Sequence, residues 1–486
     1  MRTSLSVFLA AAVVFASGCD CSSTIIVDAG NGGGFASGGG SALGGGVATG
    51  GGAAAGGGSA TGGGAATGGG SATGGGSATG GGSATGGGSA TGGGSATGGG
   101  SATGGGSATG GGAATGGGSA TGGGIGCAHP LAPADRPRKL VASHPFPGDG
   151  GSKDNRYEVF DVATNGAVTP TGLIFRMGTA NSAESLVTFT PDGVVGLVVQ
   201  DDGTLGVFRF DDGGTPTVVN AGFSGGFYAN HILMSPNGNT AWVIDMDTPN
   251  NGGGLYQVAI ACDGTLSSLG QVLSGDAPTA GTWLNTRPGV ALVAARGMGP
   301  VDGGQAYLVD FNGAAPTVVG MTRPFPDPDA IPPTVSLTPD DAFAAIPDDG
   351  FLAGDRLAIM VGDGGSYANS QLLTTSSPIG VGFSPFARRG LVVNTNGTDG
   401  FHALDYINGS WQVAATALPY TFGKPQLPGA PDLITRGALE GWMFIAELDS
   451  VRVLRFDPDG GITDVSKTMA AGSGIDQILG TLGIQP

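Results

Sequence analysis

Seven apolar hexads recur along the C-terminal three quarters of the chain, and their spacing constrains the fold more tightly than any other feature. They are Tyr157–Val162, Leu205–Phe210, Leu255–Ile260, Ala306–Phe311, Arg356–Val361, Phe401–Tyr406 and Val451–Phe456, with starts separated by 48, 50, 51, 50, 45 and 50 residues. A second marker runs in phase. Thr188-Phe-Thr-Pro-Asp-Gly193, Leu233-Met-Ser-Pro-Asn-Gly238, Ser336-Leu-Thr-Pro-Asp-Asp341 and Gly382-Phe-Ser-Pro-Phe386 each precede a short apolar run, with weaker versions at Thr286–Gly289 and Thr435–Gly437. Pro followed by Asp, Asn or Gly is turn chemistry, so each marker reads as a hairpin between two β-rich segments. One unit is therefore strand, tight turn, apolar strand, variable loop, hexad strand, turn and outer strand.

Four antiparallel strands in about 50 residues, repeated seven times, describe an all-β, seven-bladed β-propeller. The Ser/Thr-Pro-Asp-Gly turns resemble those of YVTN-type and lactonase-type seven-bladed propellers, over the whole region from about residue 127 onward. The resemblance implies architecture; a lactonase-like or other hydrolytic activity at the mouth of the channel follows from it as an alternative function. Nothing upstream of Arg138–Ser143 reads as an innermost strand for the first blade. The C-terminal Ile475-Asp-Gln-Ile-Leu-Gly480 is expected to supply it, closing the ring and hiding a sheet edge.

The first quarter is of another kind. Sixteen glycine triplets stand six residues apart from Gly32 to Gly122, mostly as Gly-Gly-Gly-Ser-Ala-Thr, and no charged residue lies between Asp28 and Asp135. Each unit buries too little apolar surface to offset its ordering entropy, so a disordered tether is expected over residues 19–126. Upstream, Arg2 and the apolar run Leu5–Ala16 have the form of a secretory signal, too short to span a membrane. Ala16-Ser17-Gly18-Cys19 resembles a bacterial lipobox, although Ala16 stands where that family usually carries Leu. The resemblance implies cleavage after residue 18, lipidation of Cys19 and anchoring in the cell envelope, facing either the periplasm or the outside. The organisation expected is signal peptide 1–18, tether 19–126 and propeller 127–486. Cys127 and Cys262 would then lie in an oxidising compartment, where they either pair or remain buried thiols.

Motifs for known chemistry are few. The chain has no His-Glu-x-x-His, Cys-x-x-Cys or Gly-x-x-x-x-Gly-Lys, and its four histidines, His129, His144, His231 and His402, show no ligand spacing, so no metal site is assigned. The long loops between second and third strands are richer in polar groups and gather at one end of a propeller channel. They offer Asp245, Asp247, Arg296, Asp348, Asp349, Asp355, Asn396 and Asp399 as candidate ligand-binding residues. Asp245 to Asn251 places oxygens at a spacing near that of a calcium loop but has Tyr256 where the twelfth-position Glu would stand. These segments read as turns first and as Ca2+ sites second, and no other cofactor is expected.

A formal net charge of −18 with four lysines leaves no basic stripe for nucleic acid. The reading that follows is a monomeric, membrane-anchored binding module for a protein, glycan or small ligand. A binding module should show a broad surface with aromatics around it, for which Tyr228, Phe227, Trp283 and Phe351 are candidates. An enzyme should instead converge Asp, Arg or His at the channel mouth with at least one strongly perturbed pKa.

Overall fold

The computed structural model describes short strands between residues 35 and 121, and residues 129–144, 156–178, 186–246, 253–275, 277–296, 304–313, 315–326, 330–348, 355–363, 365–395, 400–470 and 481–486. The chain divides into two compact units, Met1–Ser119 and Ala120–Pro486.

The second unit is a ring of seven four-stranded antiparallel sheets. Blade two shows the pattern: Thr188–Phe189 is innermost, followed outward by Val195–Val199, Leu205–Phe210 and Pro216–Phe223. Every hexad supplies the third strand of its blade. Inner strands are apolar on both faces because blades pack against one another. Leu197, Val199, Val207, Ala241, Val243 and Val258, for example, share one cluster between blades two and three. Outer strands alternate, as expected where one face meets water; Pro216–Phe223 is mostly exposed or half-buried.

The Pro-Asp-Gly markers form the hairpins between first and second strands. In blade two the Thr190 hydroxyl donates to Asp192 at 2.7 Å, the Val194 N–H donates to the same carboxylate oxygen, and Gly193 takes the left-handed conformation, φ 75°. Blade five replaces that glycine by Asp341, φ 55°. Its carboxylate accepts hydrogen bonds from the Asn285 and Thr286 backbone and side chains at 2.6–3.0 Å, so a strained turn also ties blade five to blade four.

The ring closes through the C-terminus, but with a later segment than expected. Leu482–Ile484 pairs with Leu140–Ala142 as the innermost strand of blade one, whereas 475–480 lies outside the described residues. Gly483 explains the choice: a Cβ there would stand 2.1 Å from the Val187 carbonyl oxygen, so only glycine fits against blade two. Segment 129–138 then crosses the turns of blades three, two and seven. His129 N–H donates to Asn237 O, Ala132 N–H to Pro191 O, and Asp135 accepts from the Ala438 N–H. Arg138 donates to Gln485 O at 2.8 Å, fastening the closing strand.

The Gly-rich unit, expected to be a tether, carries short strands between residues 35 and 121. Its Ser-Ala-Thr triplets form three-residue strands in two parallel sheets, each strand pairing with the one twelve residues away: Ser89 with Ser101, Ala90 with Ala102, Thr91 with Thr103. Strict periodicity brings identical triplets into one register, so the same backbone pairing recurs along each sheet.

Candidate functional site at the loop face

The antiparallel order gives the ring two unlike faces. First-to-second and third-to-fourth strand connections are tight and lie on one face, the turn face. Second-to-third and blade-to-blade connections are longer and share the other, the loop face.

Several blades end their second strand at the loop face in a buried polar residue: His144, Asp245, Asp348 and Asn394, with Gln200 and Glu447 one step beyond in blades two and seven. Inner strands shed their last apolar contacts there, and each polar group takes partners from its own or a neighbouring blade. Asp348 receives the Arg356 guanidinium at 2.6 Å and the Ile331 N–H at 3.0 Å, and Arg356 also lies over the Phe325 ring. In blade one, His144 Nε2 and Glu158 are 3.2 Å apart, both buried.

Blade seven carries the densest cluster. Arg452, fully buried, donates to Glu447, to both oxygens of Asp464 and to the Gly423 carbonyl; Lys467 reaches Glu447 and Asp449. Burial pushes Glu447 up, and Arg452 and Lys467 work against that shift. Asp464 also accepts the Thr421 and Phe422 N–H groups, which fixes the connection from blade six to blade seven.

The described residues among those singled out from sequence are spread over three blades. Asp245 is buried at the end of its strand, in register with Gly254, and burial followed by its charge raises Tyr256. Arg296 is exposed on blade four. Asp348 and Asp355 share blade five, where Asp355 accepts from the Ser377 hydroxyl at 3.2 Å. Asp247, Asp349, Asn396, Asp399, Cys19 and Cys127 lie outside the described residues. Cys262 is disulfide-bonded. Among the described residues, no group of three or more His, Cys, Asp or Glu is arranged to hold a metal ion.

Of the expected aromatics, Tyr228 is exposed on the loop face, its hydroxyl donating to Asp201 O at 2.8 Å, and Leu427 stands exposed there as well. Phe227 is buried between blades two and three, Trp283 lies at the turn-face end of its strand, and Phe351 is outside the described residues. Sequence reasoning missed the Arg452 cluster. The available signal was a charged residue at the second position of an apolar hexad, where burial demands a partner.

Two groups approach neutrality, both on innermost strands. Burial pushes Asp432 up to about 6 despite the Ile484 N–H and Arg138, and pushes His231 down to about 4 despite a bond to the Gly281 backbone. Each ties its strand to the next blade, a structural use.

No family model and no curated protein matches the chain. Solved structures do. A candidate 6-phosphogluconolactonase from Bacteroides fragilis superposes with a TM-score of 0.53 at 14% identity, over 72% of this chain and 98% of that one. The periplasmic gluconolactonase of Pseudomonas aeruginosa gives 0.50 at 13% identity, over 72% and 99%. A candidate 6-phosphogluconolactonase from Bacteroides uniformis gives 0.50 at 13% identity, over 72% and 99%. These likenesses show the seven-bladed fold.

Proposed function

We propose that the chain is an exported, lipid-anchored protein that presents the loop face of its propeller as a binding surface. The observation that carries this reading is the contrast between the faces. Segment 129–138, through which the chain reaches the propeller, is laid across the turn face, while exposed Tyr228 and Leu427 stand on the opposite face above charges already held by partners. Paired charges give a rigid floor, and exposed aromatic and aliphatic groups on it are the usual anchors of a partner. The acidic balance favours a neutral or cationic protein or glycan. The Gly-rich unit serves as the stand-off from the membrane; eight strands at ~4.8 Å per step give roughly 35 Å.

The test is a glycan array and envelope cross-linking with the mature chain. Tyr228→Ala should weaken capture at least fivefold while Phe386→Ala, an exposed aromatic on the turn face, leaves it unchanged. Equal effects from the two substitutions would overturn the assignment. Cys19→Ser should move the protein from the membrane to the soluble fraction.

The names of the structural neighbours favour a second reading, a lactone hydrolase. At the loop face Arg356, Arg452 and Lys467 are each engaged by carboxylates, so exposed Arg296 is the candidate to meet an anionic substrate. Hydrolysis of glucono-δ-lactone above the spontaneous rate would establish the enzymatic reading.

A further inference from the structure

The innermost strands of blades two to seven enclose a cavity of about 290 Å³, lined by Thr188, His231, Gly281, Ser336, Gly380 and Pro431 among others. It shares Thr282, Trp283, Val335, Ser336, Val381 and Pro431 with a wider recess of about 420 Å³ that opens between the turns of blades four to seven. The channel is thus reached from the turn face, away from the surface proposed above.

Its lining has a distinct chemistry. Among the described lining residues, the only charged side chain is Glu440, exposed at the rim. The one titratable group deeper in the channel is His231, held neutral by burial at ordinary pH. Hydroxyls and an amide line the recess at Thr282, Ser336, Thr435 and Asn285, interleaved with Trp283, Pro339 and Pro385. Trp283 is only partly buried, and its position is fixed. Its indole N–H donates to Met234 O at 2.7 Å, and its ring packs on Trp242 and Phe311 with centroids 5.3 and 5.1 Å away.

We propose that this channel binds one neutral, hydroxyl-bearing ring molecule of monosaccharide size. The volume is in the range of small-ligand sites, and the mixture of apolar faces with a few placed polar groups is their usual composition. An ionised ligand would lose its hydration in a lining that offers no counter-charge, which selects for an uncharged one. Trp283 and the prolines suit the C–H faces of a sugar, and the hydroxyls suit its rim. The site is independent of the loop-face surface.

The mature chain should be titrated with glucose, galactose and N-acetylglucosamine, read by calorimetry and by tryptophan fluorescence. At least one should bind saturably with a change in Trp283 emission, and glucose 6-phosphate should bind at least tenfold more weakly than glucose. Ser336→Leu, which fills the channel, should weaken the sugar at least tenfold, and Thr282→Val, which removes one hydroxyl at nearly constant volume, three- to tenfold. Thr282→Val decides the matter if Ser336→Leu fails to fold. Tyr228→Ala on the other face should leave sugar affinity unchanged. Absence of saturable binding by all three sugars, equal binding of the phosphorylated sugar, or wild-type affinity in the folded channel variants would overturn the proposal.

Discussion

Replacing Asp432 by Asn should stabilise the propeller, and by an amount that depends on pH. Asp432 sits on the innermost strand of blade seven and accepts the Ile484 N–H at 2.8 Å, one of the contacts that hold the closing strand. An Asn oxygen can accept the same bond. Burial raises the folded-state pKa from 3.8 to about 6. Between these values the unfolded chain has released a proton that the folded chain still holds, so the native state loses stability as pH rises through the window. The full cost is present above about pH 6 and vanishes below 3.8. A rise from 3.8 to about 6 corresponds to about 3 kcal/mol, and water reaching this half-buried side chain lowers that to roughly 1–2 kcal/mol. At about 2.1 cal/mol/K per residue of unfolding entropy, a domain of this size should gain about 1–3 °C. His231 titrates in both proteins and cancels in the difference. The assay is thermal and urea unfolding of wild type and variant from pH 4 to 8. A pH-independent offset, or a variant less stable than wild type at pH 8, would refute the reasoning.

Two further outcomes follow from the ring's construction. Asp341→Ala removes four hydrogen bonds to blade four and leaves a non-glycine residue at φ 55°, so it should cost about 2–4 kcal/mol in urea unfolding, with Asp341→Gly costing less because it relieves the strain. Cys262 should prove to be bonded to Cys127. His129, two residues after Cys127, donates to Asn237 O, and Ile260, two residues before Cys262, donates to Asn239 O, so the chain near each cysteine in sequence meets the same turn. A non-reducing digest should yield the linked peptide, and Cys262→Ser should cost roughly 3–5 kcal/mol for a loop of this length; a linked peptide containing Cys21 instead would refute the pairing.

The architecture was legible because a propeller repeats its instructions. Blades pack only on neighbours, so each needs its own apolar hexad and its own turn, and seven copies in phase leave one solution. The site was less legible. Asp348 and Asp245 could be marked as loop-face residues from their place in the unit, yet of the partners of Asp348 only Arg356 lies in a hexad, whereas Ile331 belongs to a connection that the period does not encode. The Arg452 cluster was hidden among hexad residues that look apolar on average.

By itself, then, the sequence determined the number of blades, the strand order within each and the faces on which tight turns and long loops lie, because local periodicity and turn chemistry fix those. Tertiary structure alone decided three things. It chose Leu482–Ile484 as the closing strand, since the absence of a Cβ at Gly483 matters only against the Val187 carbonyl. It turned the loop-face charges into paired groups rather than free ligands, since pairing depends on which blades meet. And it aligned the Ser-Ala-Thr triplets into parallel sheets, since the stability of a ladder belongs to the stack and not to any one repeat.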